Sequence, residues 1–227
     1  MNPLSYEPIF NRIAFYLNIK GLYKLVATCK DIHRIGMLPN YKAKLYDYIS
    51  HKASIYGDLP VILWLHNNEY KFTTWSMDCA AVYGHLELVK WLHENRQEGC
   101  TEYAMNNAAR YGHLEVVKWL HENRKEGCTR GAMNHAARYG HLEIVKWLHE
   151  NRKEGCTEWA MDLAAEKGHL EVVKWLHENR KEGCTKYAMD LAAKNGHLEV
   201  VKWLHENRQE DCTTNKCYEL GCSKRSS

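Results

Sequence analysis

The sequence predicts an all-α fold: a solenoid of helix-turn-helix repeats behind a small helical N-terminal module. Three observations lead there. The block GHLEVVKWLHENRKEGCT, starting at Gly112, returns almost unchanged at Gly140, Gly168 and Gly196 and first appears at Gly84, each step being 28 residues. A fixed period of this length marks stacked units, each of which buries its apolar face only against its neighbours. A degenerate copy, YGDLPVILWLHNN, precedes the series around Gly57 at a step of 27. Within every copy, two stretches of helical apolar spacing flank a glycine. Six copies therefore span residues 46–211, after a module at 1–45 and before a tail at 212–227.

The N-terminal module has its own pattern. Ile9, Phe10, Ile13 and Leu17, then Leu22, Leu25, Val26 and Cys29, fit two short helices joined near NIKG. In the repeats, TEYAMNNAARYG predicts the first helix. Thr101 can cap it by accepting from an orphan backbone N–H. Ala104, Met105 and Ala108 fall on one face, and the alanines admit a close neighbour. Gly112 can end the helix in a left-handed conformation.

HLEVVKWLHENR predicts the second helix. Its start is Asp58 in the first copy, a strong N-cap type, and His113 in the third. Pro60 or Glu115 suits the first turn. Leu114, Val117 and Leu120 form a buried stripe that Val116 and Trp119 widen, so neighbours must cover it. The tail, NKCYELGCSKRSS, frays or adds part of a capping helix.

Composition narrows the function. Thirty-one basic side chains face 28 acidic ones, a net charge of +3. The repeat Thr101–Cys128 balances Glu102, Glu115, Glu122 and Glu126 against Arg110, Lys118, Arg124 and Lys125. Neutral repeats argue against nucleic acid as the partner. No run approaches the roughly 18 apolar residues of a membrane helix, and the N-terminus does not read as a signal peptide. Nine cysteines without a secretory signal point to a reducing intracellular compartment, cytoplasmic or nuclear, and to free thiols.

Chemistry-bearing residues fit structural roles. Cys100, Cys128, Cys156, Cys184 and Cys212 recur one repeat apart with no Cys-x2-Cys pair, and Phe72 fills the same position in the first copy. That argues against zinc and for a small apolar filler. Cys217 and Cys222 follow in the tail. His85, His113, His141, His169 and His197 share a turn position with Asp58, which a hydrogen-bonding role explains. His93, His121, His149, His177 and His205 sit near the repeated tryptophan, as packing between repeats or as surface. No catalytic constellation, cofactor motif or metal-ligand set is present, so the expectation is a binding protein rather than an enzyme.

AARYGHLEVVKWL resembles the middle of an ankyrin repeat: the double alanine, the Gly-His turn and the LEVVK run. The family's Thr-Pro-Leu-His is replaced by Tyr103, Ala104, Met105 and Asn106, and the unit is about five residues shorter than the usual 33. The resemblance implies protein–protein interaction, with short loops and little or no strand. The N-terminal spacing resembles an F-box at Ile9, Phe10, Ile13, Leu17, Leu22, Leu25 and Cys29, with Ser5 and Tyr6 where that family has Leu-Pro. An F-box implies docking on the adaptor of a cullin-type ubiquitin ligase, the repeats choosing the substrate. The alternative is a helical cap on the solenoid, which leaves a stand-alone ankyrin scaffold or inhibitor.

The second helix hardly changes between copies, whereas the first helix and its flanks do. One varying pair is Thr74-Trp75, Glu102-Tyr103, Arg130-Gly131, Glu158-Trp159 and Lys186-Tyr187. A second is Asn106-Asn107, Asn134-His135, Asp162-Leu163 and Asp190-Leu191. A third is Arg110-Tyr111, Arg138-Tyr139, Glu166-Lys167 and Lys194-Asn195. Packing asks for sameness and recognition for difference. The ankyrin resemblance places the first helices on the concave binding face. The expected partner-binding residues are therefore Trp75, Tyr103, Trp159 and Tyr187, flanked by Arg110, Arg138 and Glu166.

Overall fold

A computed structural model describes residues 39–208. Ile9, Phe10, Ile13, Leu17, Leu22, Leu25 and Cys29, with Cys212, Cys217 and Cys222, lie outside these residues. The described residues form twelve α-helices and no strand. They come in pairs: α1 (Pro39–Tyr56) with α2 (Leu59–Asn67), α3 (Thr74–Val82) with α4 (Leu86–Asn95), and α5 (Glu102–Arg110) with α6 (Leu114–Asn123). Then follow α7 (Arg130–Arg138) with α8 (Leu142–Asn151), α9 (Trp159–Glu166) with α10 (Leu170–Asn179), and α11 (Lys186–Lys194) with α12 (Leu198–Asn207). Helix α1 runs across the 45/46 position where the module boundary is expected.

The described residues divide into two compact units, one holding 39–80 and 87–99, the other 81–86 and 100–208. In the second unit, α5, α7, α9 and α11 pack side by side in chain order, each against the second helix of its own pair. The second helices α8, α10 and α12 also touch in succession. This neighbour-to-neighbour order is that of an ankyrin-type solenoid.

Alanines set the spacing of the first helices. Ala108, Ala109, Ala136, Ala137, Ala164 and Ala165 have no accessible surface. Met105, Met133 and Met161 fill the space beside them. Each second helix buries a three-residue stripe, Val116, Val117 and Leu120 in α6. Full burial of one such side chain contributes about 1.5–3 kcal/mol. Leu114 and Trp119 are only half-buried, so Val116 rather than Leu114 completes the α6 core.

Turn chemistry follows the expected letters at the first helices. Thr101, Thr129 and Thr185 adopt extended backbone, and each side chain accepts the N–H two residues on, Tyr103 N at 3.1 Å in the first case. Gly112 has φ +86°, the left-handed conformation that costs other residues about 1–2 kcal/mol. The second helices depart from expectation. Neither Asp58 nor His113, His141, His169 or His197 forms a side-chain cap. The histidine instead reaches back to the preceding repeat: Nε2 of His141 lies 3.1 Å from the Arg110 carbonyl.

In the first unit, α1 packs on α2 through Ile49, Ala53, Val61, Ile62 and Leu65. Tyr46 meets the rings of Trp64 and Tyr70 edge-on at 5.5 and 6.3 Å. Phe72, at the position that elsewhere holds cysteine, is buried at 5% exposure. Cys100 and Cys156 are buried, and Cys128 and Cys184 are half-buried. Burial pushes the Cys156 and Cys128 thiols above their ordinary range, which disfavours the reactive thiolate.

Candidate protein-interaction face

The second helices explain why their block repeats. Each Asn of the HEN triplet bends back to cover its own helix, as Asn123 does when Nδ2 donates to the Trp119 carbonyl at 2.9 Å. Three of the repeated tryptophans meet the histidine of the previous repeat edge-on: Trp147 on His121 at 5.2 Å, Trp175 on His149 at 5.2 Å, Trp203 on His177 at 5.1 Å. The arginine ending the block takes three partners at once. Arg152 holds Glu154, places Nη1 3.3 Å from Nδ1 of His121, and lies over Gly127, where a Cβ would come within 2.6 Å of it. Arg180 repeats the set with Glu182, His149 and Gly155. Burial alone would raise the Glu154 carboxyl, but the Arg152 and backbone hydrogen bonds outweigh it and hold it below the ordinary range. The first unit has the same joint in His66, Trp91 and Arg96. These letters do not vary because they are used against an identical neighbour.

One of the varying pairs is also structural. Asn106 accepts the Thr129 N–H at 2.9 Å and donates to Oγ1 of Thr129 at 3.0 Å. Asn134 does the same to Thr157 at 3.0 and 2.9 Å. Asp162 accepts both the N–H and the hydroxyl of Thr185 at 2.8 and 2.7 Å. The Asn-to-Asp change between copies thus preserves the link to the next repeat's threonine.

The expected aromatic positions are exposed. Tyr103 and Tyr187 are the second residues of α5 and α11, and Trp159 opens α9, at 47%, 58% and 60% exposure. In the first unit Trp75 is 46% exposed. Its ring stacks on His51 at 5.7 Å, and its Nε1 donates to Nδ1 of His51 at 2.6 Å. Since first-helix starts share one register in the side-by-side row, Tyr103, Trp159 and Tyr187 occupy equivalent sites on the second unit.

The flanking charges sit deeper. Arg110, Arg138 and Glu166 are half-buried at the helix ends. Arg138 lies 3.6 Å from Glu166, which holds Lys167 at 3.0 Å. Arg110 donates through Nη2 to the Tyr139 hydroxyl at 3.0 Å. The guanidinium lies 5.2 Å from the Tyr111 ring and 5.3 Å from that of Tyr139, which stack on each other at 6.5 Å. His135 faces both arginines; burial first, then their charge, lowers its pKa below the ordinary imidazole value.

A second aromatic row, Tyr83, Tyr111 and Tyr139, is exposed at 49%, 48% and 38%; Tyr111 and Tyr139 belong to the third varying pair but not to the expected contact set. The signal was present, since tyrosine precedes the turn glycine in four successive copies, at Tyr56, Tyr83, Tyr111 and Tyr139. Among the described residues, no helix is long and apolar enough to cross a membrane.

No curated protein matches the chain. The family model for ankyrin repeats (3 copies) matches residues 50–130, 76–158 and 133–216, which together cover more than half of the chain. The short period, the glycine turn and the paired helices agree with that match, and the chain belongs to the ankyrin-repeat family.

Proposed function

We propose that this chain acts by binding a protein partner on the face built from its first helices, and that its role is recognition rather than catalysis. Membership in the ankyrin-repeat family supports a protein-interaction role. The observation that carries the choice of face is the exposure of Tyr103, Trp159 and Tyr187 at equivalent sites. Large aromatics supply most of the energy of an interface when it buries them. The same face is the concave one in the ankyrin pattern. Capture of partners by the intact protein, by a Trp159→Ala/Tyr187→Ala variant and by a Lys118→Ala/Lys146→Ala variant of the second helices tests it. Loss of the same partners with the first variant alone supports the face; retention by both removes it.

The finer proposal is that residues 1–45 dock on the adaptor of a cullin-type ubiquitin ligase and the repeats present its substrate. Its support is the F-box-like spacing of Ile9, Phe10, Ile13, Leu17, Leu22 and Leu25. A pull-down of that adaptor with the full chain and with residues 1–45 removed tests it, given matching helical content and melting. Capture by the full chain alone supports docking. Failure of both leaves a scaffold or inhibitor without a ubiquitin role.

A further inference from the structure

The aromatic row is uncharged, but one stretch of the same face carries unusual charge. Helices α5 and α7 end in Arg110-Tyr111 and Arg138-Tyr139. Arg110 spends its Nη2 on a phenol and lies against two tyrosine rings. Arg138 meets its nearest carboxylate, Glu166, at 3.6 Å, and that carboxylate has the closer Lys167 at 3.0 Å. Nε of Arg110, Nε of Arg138 and Nδ1 of His135 between them are buried without a hydrogen-bond partner. A guanidinium presents five donors and no acceptor. Two neighbouring repeats therefore hold forks whose donors are mostly unused, next to a pair of stacked rings.

Carboxylate is the acceptor that suits such forks, because its two oxygens match two parallel N–H groups. We infer that this patch receives an acidic, extended segment of the partner, with Asp or Glu side chains against Arg110 and Arg138 and its chain along Tyr111 and Tyr139. This rests on the reading of the first-helix face as the binding face. The chain's own N-terminal segment does not supply the occupant: residues 1–38 carry Arg12, Lys20, Lys24, Lys30 and Arg34 against Glu7 and Asp31. A nucleic acid fits less well, because Glu102 and Glu158 stand exposed at the starts of α5 and α9 and would repel a continuous phosphate backbone. A peptide can space its carboxylates to avoid them.

The experiment uses the full-length protein and fluorescence anisotropy. The probes are a labelled peptide of alternating Glu and Gly, its Gln-Gly counterpart, and a thymidine oligonucleotide of similar length. The Glu peptide is expected to bind about tenfold tighter than the Gln peptide. High salt should weaken it, and Arg110→Gln/Arg138→Gln should reduce its affinity by about tenfold. Should the double variant melt early, Arg138→Gln alone makes the same test. Equal binding of the two peptides, unchanged affinity in the arginine variant, or tighter binding of the oligonucleotide overturns the inference. If the Glu peptide fails while Trp159→Ala/Tyr187→Ala still loses captured partners, the carboxylate site falls and the face stands. If that aromatic variant loses nothing, the face itself falls.

Discussion

Nη1 of Arg152 lies 3.3 Å from Nδ1 of His121, and the indole of Trp147 meets the same imidazole edge-on at 5.2 Å. Arginine only donates, so Nδ1 is the acceptor in this contact. Three side chains from two repeats thus form one joint, with Glu154 fixing the other end of the guanidinium. Arg152→Ala removes the Glu154 bond, the His121 bond and the cover over Gly127. It should destabilise the protein by about 1–2 kcal/mol, read from the urea midpoint. Arg152→Lys should recover little of this, because one ammonium cannot face Glu154 and His121 in the arginine's fork geometry.

The turn glycines separate two costs. Gly112 has φ +86° and a Cβ there would lie 2.8 Å from Cε1 of His141; Gly196 has φ +80° and nothing within 4 Å. Gly196→Ala should cost about 1–2 kcal/mol from the backbone alone. Gly112→Ala should cost more, with the excess relieved in Gly112→Ala/His141→Ala. Equal losses at both glycines would remove the steric part of the argument.

Asn134 and Asp162 hold equivalent threonines in successive repeats. Asn134→Asp should therefore leave stability within about 0.5 kcal/mol, the Thr157 hydroxyl rotating to donate. Asn134→Leu should cost about 1–3 kcal/mol, since the Thr157 N–H loses its acceptor. Thermal melts of the two variants decide between a structural bond and a spare surface position.

Burial lowers the pKa of both His113 and His169, partly opposed by their bonds to the Val82 and Arg138 backbone and assisted by the neighbouring turn histidines. A histidine depressed in the folded state takes up its proton first in the unfolded chain. Its contribution is present above the ordinary value of 6.5 and is lost as pH falls from there through the lowered folded value. The Tm should drop as pH falls from 6.5 towards the lowered folded value, and His169→Gln should flatten the slope there. A slope unchanged by the substitution would assign the acid sensitivity to other groups.

Trp159 is 60% exposed, so Trp159→Ala should change stability by less than about 0.5 kcal/mol. A larger loss on chemical denaturation would mean that the ring packs the repeat rather than waiting for a partner.

Much of this was legible before any coordinates. Period, glycine and threonine placed the paired helices, because each acts locally: Gly112 by its φ and Thr101 by a bond two residues away. Joints between repeats were harder to see. His121 and Arg152 are 31 positions apart, and nothing in either's neighbourhood announces the other. Asn106 and Asp162 looked like recognition residues because the letter changes, yet both offer the same acceptor to a threonine. Tyr111 and Tyr139 stand in the third varying pair and are exposed, although only the arginines beside them were expected to make contact. Of the turn histidines, His113, His141 and His169 hydrogen-bond the previous repeat's backbone rather than their own helix.

The asparagine–threonine bond recurs at a sequence separation of 23 and the arginine–histidine joint at 31, in every repeat where both partners are described within the second unit. Both joints use only residues that every full copy carries or chemically mimics. A repeat is therefore a portable part. Copying a 28-residue block in frame supplies both halves of each new joint and adds one more site to the row of Tyr103, Trp159 and Tyr187. The identity of that site can then be rewritten one letter at a time, without touching what holds the stack together.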